Sequence, residues 1–280
     1  MQKRKKEGLV LGGGGARGAW QLGVIRRLML GSENYMPDLV VGTSVGALNA
    51  AGLVHGGLPK LLELWRSIHK RSDVFSRNWW PFGGGIYSYK PLLKKVQQIV
   101  SGDQIKGSPD CIVAYCDLSS GMIHYPRSRI CAYPDFAKYV VASAAMPAIV
   151  DPVDGRYVDG ALRELVPLQR CIDAGCESIT VICCNPWSMQ NYKHPWDNTL
   201  QIALRSLEIL FHERFINDVR SCWRKNHDPS KEYKHIDLRF IAPMPTYQRE
   251  TLDFGKKTIE QDITLGFNFE TTADIRRGDA

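Results

Sequence analysis

A three-layer α/β/α domain built on a mostly parallel central sheet is the fold class this sequence predicts. Short apolar runs alternate along the chain with segments of helical periodicity. Two of these runs, Leu9-Val10-Leu11 and Leu39-Val40-Val41, each lead through a glycine turn into a helix, as strands of parallel sheets do. The 280 residues, 44% of them hydrophobic, suffice for one large core. Residues 1–280 therefore read as a single domain, with residues 1–7 as a flexible basic leader.

The elements follow in order. Residues 9–11 form a strand, and 16–30 its helix, with Trp20, Val24 and Leu28 recurring on one face. Pro37-Asp38 leads into the second strand, after which Ser44 begins a helix to about residue 54. A helix over 59–69 carries Leu61, Leu62, Leu64, Trp65 and Ile68. Residues 71–88 lack periodicity and contain Trp79-Trp80-Pro81-Phe82-Gly83-Gly84-Gly85, a flexible loop. Pro91 opens a helix that stops near Ser101-Gly102. Residues 111–116 and 122–125 read as strands joined by Ser119-Ser120-Gly121, and 135–145 as a helix stopped by Pro147. A helix over 167–174, a buried strand over 178–184 and a long amphipathic helix over 199–225 come next. A strand over 236–241 and a helix over 256–266 close the chain.

Ligands of such sheets bind beyond the carboxyl ends of the strands, where both glycine turns fall. In Gly42-Thr43-Ser44-Val45-Gly46 a serine is held exposed on a tight turn, with glycines leaving room for a substrate. In Gly12-Gly13-Gly14-Gly15-Ala16-Arg17-Gly18 a glycine loop at a helix start presents N–H groups to an anion. Nucleophile beside anion hole is the apparatus of acyl transfer. The nucleotide readings of the first loop fare worse. A dinucleotide site wants an acidic residue after the second strand, where Gly42-Thr43-Ser44 stands, and a phosphate loop wants Gly-Lys-Ser/Thr where the chain has Arg17-Gly18-Ala19. A third segment, Tyr157-Val158-Asp159-Gly160-Ala161, follows Ala142-Ser143-Ala144-Ala145-Met146-Pro147. By itself Asp159-Gly160 is either an ordinary turn or the base a serine needs.

Together the three segments resemble the patatin-like phospholipase family. Its glycine-rich loop stands at Gly13 to Gly18, its G-x-S-x-G elbow at Gly42 to Gly46 and its Asp-Gly-Ala element at Asp159, Gly160 and Ala161. The Ser-Ala-x-x-Pro segment and the late Leu252-Asp253-Phe254 are similar too. The resemblance implies a lipid acyl hydrolase needing no metal or other cofactor. Ser44 attacks an ester carbonyl, Asp159 takes its proton, and backbone N–H groups of Gly13, Gly14 and Gly15, with the loop through Ala16, Arg17 and Gly18, hold the oxyanion. Thr43, Val45 and the glycines of the elbow shape the turn. Partial burial of Asp159 would raise its pKa and strengthen it as a base.

Three other readings compete. A Ser-His-Asp hydrolase would use His227 or His235, but that fold places its elbow after several strands and Ser44 follows the second. A soluble esterase or thioesterase would share the dyad. A catalytically silent binding protein would typically lack Ser44 or Asp159, and both are present.

Eight cysteines without a C-x-x-C pair read as buried free thiols in a reducing compartment, and no histidine cluster has zinc spacing. No apolar stretch approaches a bilayer span, and the apolar run after Met1 to Lys6 is too short for an export signal. A cytoplasmic protein is expected, peripheral at membranes. The net charge of +7 suits an anionic bilayer, with Trp79, Trp80 and Phe82 either dipping among headgroups or packing as a lid. No nucleic-acid recognition motif is present.

Overall fold

The computed structural model describes residues 4–79, 84–100, 104–189, 198–226 and 236–269. Along the chain come β1 (Glu7–Leu11), α1 (Gly18–Leu30), β2 (Leu39–Thr43), α2 (Val45–Arg66), β3 (Ser76–Arg77), β4 (Tyr87–Ser88), α3 (Lys90–Ile99) and β5 (Asp110–Asp117). Then follow β6 (Ile123–His124), α4 (Asp135–Ala142), β7 (Tyr157–Asp159), α5 (Leu168–Asp173), β8 (Ser178–Ile182), α6 (Thr199–Asn226), β9 (Asp237–Ile241) and α7 (Lys256–Phe267).

The central sheet runs β6-β5-β2-β1-β8-β9. β5, β2, β1, β8 and β9 are mutually parallel, while β6 and β7 pair antiparallel with β5. Alternation along the strands makes the layers. Leu9, Leu11, Val40, Cys111, Val113 and Ile182 face a core filled by α1, α2, α3, α4 and α7. Val10, Leu39, Val41, Ile112, Ile179 and Val181 face the other way, against α5 and α6. Both faces are therefore covered, as a parallel sheet requires. The expected architecture is the observed one.

Three local details depart from the sequence reading. The helices expected over 44–54 and 59–69 run together as α2, kinked at Gly57 with φ 71° just before Pro59. The aperiodic stretch 71–88 contains the small β3–β4 ladder, in which Ser76 pairs with Ser88; Trp80, Pro81, Phe82 and Gly83 lie outside the described residues. The basic leader is tied down rather than flexible over residues 4–6. Arg4 pairs with Asp38, Lys5 with Asp237, and Lys6 Nζ donates to the Ala174 carbonyl at 2.7 Å. These charges sit at the amino end of β1, opposite the rim that carries the glycine turns. Ion pairing and that position both count against the leader as the membrane contact beside the site.

Buried free thiols account for Cys111, Cys116, Cys171, Cys176, Cys183 and Cys184, with Cys131 half-buried. No helix among the described residues is long and apolar enough to cross a membrane.

Candidate active site

β2 ends at Thr43, and Ser44 carries the chain into α2 with φ 57° and ψ −129°. A residue bearing a Cβ adopts such a backbone only under constraint, at a cost of about 1–3 kcal/mol. The constraint is visible. The Ser44 carbonyl accepts the Ala47 N–H at 2.9 Å to start α2, and the Ser44 N–H donates to Ser143 Oγ at 2.9 Å.

Sheet register brings Asp159 to the same place. Thr43 pairs with Ala114, and Asp159 pairs with the next residue of β5, Tyr115. β7 thus takes up, from the opposite direction, the position beside β5 that β2 leaves at Ser44. The Asp159 N–H donates to the Ala145 carbonyl at 2.9 Å. One short segment, Ser143-Ala144-Ala145, therefore grips the backbones of both residues. Its sequence signal was the Ser-Ala-x-x-Pro pattern.

The Asp159 carboxyl is 1% exposed. Its Oδ1 accepts the Ala161 N–H at 2.9 Å, while Oδ2 is buried without a fully formed hydrogen bond. Burial pushes its pKa up to about 7, against the opposing pull of the Ala161 N–H and the nearby Ser44 hydroxyl. A serine hydroxyl beside a carboxyl of that pKa can lose its proton to it at neutral pH, and such contacts tighten when substrate binds.

The first glycine turn lies against the second. A Cβ on Gly13 would stand 2.9 Å from Ser44 Cβ. Gly12 donates to the Ile182 carbonyl at 3.0 Å, Gly13 to Leu165 at 3.3 Å and Ala16 to Thr251 at 2.8 Å. Among the described residues, Gly14 and Gly15 keep their N–H groups without an acceptor. The expected anion hole is thereby narrowed, because the Gly13 amide is engaged and its neighbours are open. Gly15 has φ 61°, and a Cβ there would meet the Thr251 carbonyl at 2.3 Å. Arg17 points inward: its Nε donates to the Gly14 carbonyl at 3.1 Å, and its Nη2 to Thr251 Oγ1 at 2.9 Å and Glu208 Oε1 at 3.2 Å. Thr251 Oγ1 in turn donates to Glu208 Oε1 at 2.6 Å. Arg17 is a brace for the loop, and Glu208 and Thr251 are its far ends. Nothing in the local pattern around either residue pointed to this.

Two cavities open at Ser44. One is an apolar slot between α2 and α3 of about 840 Å³ counting its open mouth, lined by Leu48, Leu61, Trp65, Leu92, Val96 and Met146 among others. The other is a polar chamber under α6, bordered by Gly13, Gly14 and Gly15 and lined by Asn185, Arg205, Glu208 and His212. Glu208 and His212 stand four residues apart on the inner side of α6, a spacing that puts side chains on one helix face. His227 and His235, the alternative bases, lie outside the described residues. Among the described residues no group of His, Cys, Asp and Glu is arranged to hold a metal ion.

Comparison with known proteins agrees with this arrangement. The sequence model of the family described as patatin-like phospholipase matches residues 9–172. A patatin-like phospholipase domain-containing protein of Caenorhabditis elegans is 29% identical over 192 residues, 62% of this chain and 16% of its own length. Lysophospholipase NTE1 of Mycosarcoma maydis is 25% identical over 287 residues, 89% of this chain and 14% of its own. The chain thus spans a small part of the curated relatives it matches. The solved structure of VipD from Legionella pneumophila aligns with 95% of this chain and 66% of its own, at 13% identity and a TM-score of 0.47.

Proposed function

This chain belongs to the patatin-like phospholipase family, and from that premise we propose that it hydrolyses carboxylic esters of lipids, with Ser44 as nucleophile and Asp159 as general base. The observation that carries the reading is the meeting, at one hydroxyl, of a buried carboxyl with a pKa near 7, two open backbone N–H groups and an apolar slot.

Asp159 Oδ2 takes the Ser44 hydroxyl proton as Oγ adds to the ester carbonyl carbon. The carbonyl π pair moves onto oxygen, which Gly14 and Gly15 receive. Such a donor is worth about 10²–10³ in rate. Collapse of the tetrahedral intermediate expels the alkoxide, which leaves with the proton that Asp159 held. Water then adds to the acyl-enzyme as Asp159 removes its proton; that proton returns to Ser44 when the fatty acid departs. The acyl chain lies in the slot between α2 and α3, whose size falls in the range of about 300–1,000 Å³ usual for small-ligand sites.

The names of the relatives, phospholipase and lysophospholipase, favour phospholipid-type substrates for this chain as well. The substrate then reaches the site from a lipid surface, in peripheral contact with it.

The test is product analysis on vesicles of defined diacyl and monoacyl phospholipids, joined to active-site labelling with a fluorophosphonate. Release of free fatty acid and a single adduct mapped by mass spectrometry to Ser44 are expected. An adduct on another residue, or hydrolysis that continues after Ser44 is blocked, would discard the mechanism.

A further inference from the structure

The polar chamber beside Ser44 holds two buried polar groups that the dyad does not use. Asn185, three residues past β8, has its side-chain oxygen buried with no hydrogen-bond partner. His212, on the inner side of α6, is 7% exposed, and its Nδ1 is in the same condition. Both line the chamber together with Ser44, Gly14 and Gly15. Buried polar groups are nearly always hydrogen-bonded, and an orphan in a cavity wall calls for a partner from elsewhere.

The chemistry of that partner follows from what the two groups accept. An amide oxygen requires a donor. A neutral imidazole nitrogen requires a donor or an acceptor according to its tautomer, and burial keeps the His212 ring on the neutral side by lowering its pKa. A hydroxyl satisfies both, since it donates one hydrogen bond and accepts others, and it does so whichever way the amide is turned. An anionic phosphate oxygen has no hydrogen for Asn185 and would share the chamber with the Glu208 carboxylate. The cations there are already engaged, Arg17 with Glu208, Thr251 and the Gly14 carbonyl, and Arg205 with Glu208.

Resting on the ester-hydrolase reading above, we infer that the chamber under α6 is the alcohol-side subsite, where Asn185 and His212 bind a free hydroxyl on the alcohol of the scissile ester. The substrate class is then an acyl ester of a polyol, such as a glyceryl monoester, with its chain in the apolar slot and its hydroxylated end in the chamber. The two openings on either side of Ser44 decide which end of the ester lies where.

The test uses the full chain and three esters of one fatty acid: the glycerol monoester, the propyl ester, which is the same alcohol stripped of its hydroxyls, and the glycerophosphocholine monoester, which keeps one. The expected kcat/KM for the glycerol monoester exceeds that for the propyl ester by about tenfold or more, and the phosphocholine ester falls with the glycerol ester. His212→Leu lowers the ratio of glycerol to propyl ester toward one, His212→Gln restores most of it, and a melting curve separates a lost contact from a lost fold. Equal kcat/KM for glycerol and propyl esters overturns the inference, as does a ratio that survives His212→Leu combined with Asn185→Leu. So does a preference for the phosphocholine ester alone, which would mean that phosphate is read. Parallel loss of all three activities in a folded His212→Leu overturns it too, by making the imidazole part of the chemistry. Labelling of Ser44 by a fluorophosphonate with no hydroxyl preference ends this inference only; absence of both labelling and ester hydrolysis ends the reading on which it rests.

Discussion

The turn after β1 and the turn after β2 are both glycine-rich passages from a strand into a helix, yet they are held in opposite ways. The second carries its strain on a side-chain-bearing residue, Ser44, and is fixed by backbone contacts close at hand in the fold: Ser143 Oγ and the first turn of α2. The first carries its positive φ on Gly15 and is fixed from far along the chain, by the Thr251 carbonyl and by the Arg17 brace to Glu208 and Thr251. One turn exposes a hydroxyl, the other exposes N–H groups. A small backbone motif serves either chemistry, depending on which of its polar groups the rest of the fold leaves unpaired.

The sharpest break in this contrast is at the second turn. Ser44→Ala should lower ester hydrolysis by about 10⁴-fold or more with little change in melting temperature, since the alanine keeps the same Cβ and loses only the hydroxyl. Turnover assays alongside thermal melts check it, and a loss below tenfold would remove Ser44 from the chemistry.

Asp159→Asn comes next, with turnover reduced by about 10²–10⁴-fold. In the unaltered protein kcat/KM should rise roughly tenfold per pH unit below about 7 and level off above it, because only the ionised carboxyl accepts the proton. The same residue should oppose folding. Its pKa is raised in the folded state from 3.8 to about 7, so the folded protein holds a proton that the unfolded chain releases. Stability from this group is full below pH 3.8 and declines as pH rises to about 7. Asp159→Asn should therefore be more stable than the parent at pH 8, by a margin on the order of 3 kcal/mol that disappears near pH 4. Denaturation curves at the two pH values decide it, and equal stability differences at both would deny the carboxyl its buried, protonated state.

Gly15→Ala tests the first turn. The new Cβ meets the Thr251 carbonyl at 2.3 Å at a positive φ, so the loop must move and both open N–H groups move with it. A loss of about 10²–10³ in kcat is expected, while KM for a short soluble ester changes little. Unchanged kcat would clear Gly14 and Gly15 of oxyanion binding.

The smallest effect belongs to the brace. Thr251→Val keeps shape and backbone but removes the hydroxyl that serves both Arg17 and Glu208. A decrease of about 1–2 kcal/mol in stability is expected, together with a kcat loss of roughly tenfold as the loop loosens. If stability falls while kcat holds, the brace supports the fold and not the loop's aim.

Much of this was legible in one dimension, for reasons that act over a few residues. Period-two and period-3.6 apolar patterns marked the strands and helices, and glycine at tight strand-to-helix junctions marked Ser44 and the loop from Gly13 to Gly18. The separation of α2 into two helices was misread because Gly57 and Pro59 signal a break, whereas apolar residues on both sides of the kink, Leu53 and Val54 before it and Leu61 and Trp65 after it, share one core.

What the sequence by itself determined about this protein is the set of local conformations: which residues turn, which run extended, and which carry a hydroxyl or a carboxyl at a strand end. Tertiary structure alone decided which of those groups meet and which stay unpaired. That Asp159 enters the sheet position β2 vacates depends on two antiparallel residues of β7 finding the far end of β5. That Gly13 is closed and Gly14 open depends on where the Leu165 carbonyl lies. The pKa of Asp159 near 7 depends on burial, and the chamber of Asn185 and His212 on α6 lying across the rim. Steric and periodic preferences are properties of neighbouring residues and can be read in order along a chain. Hydrogen-bond satisfaction and desolvation are properties of whatever distant segment arrives to cover a group, and they exist only once the chain has closed on itself.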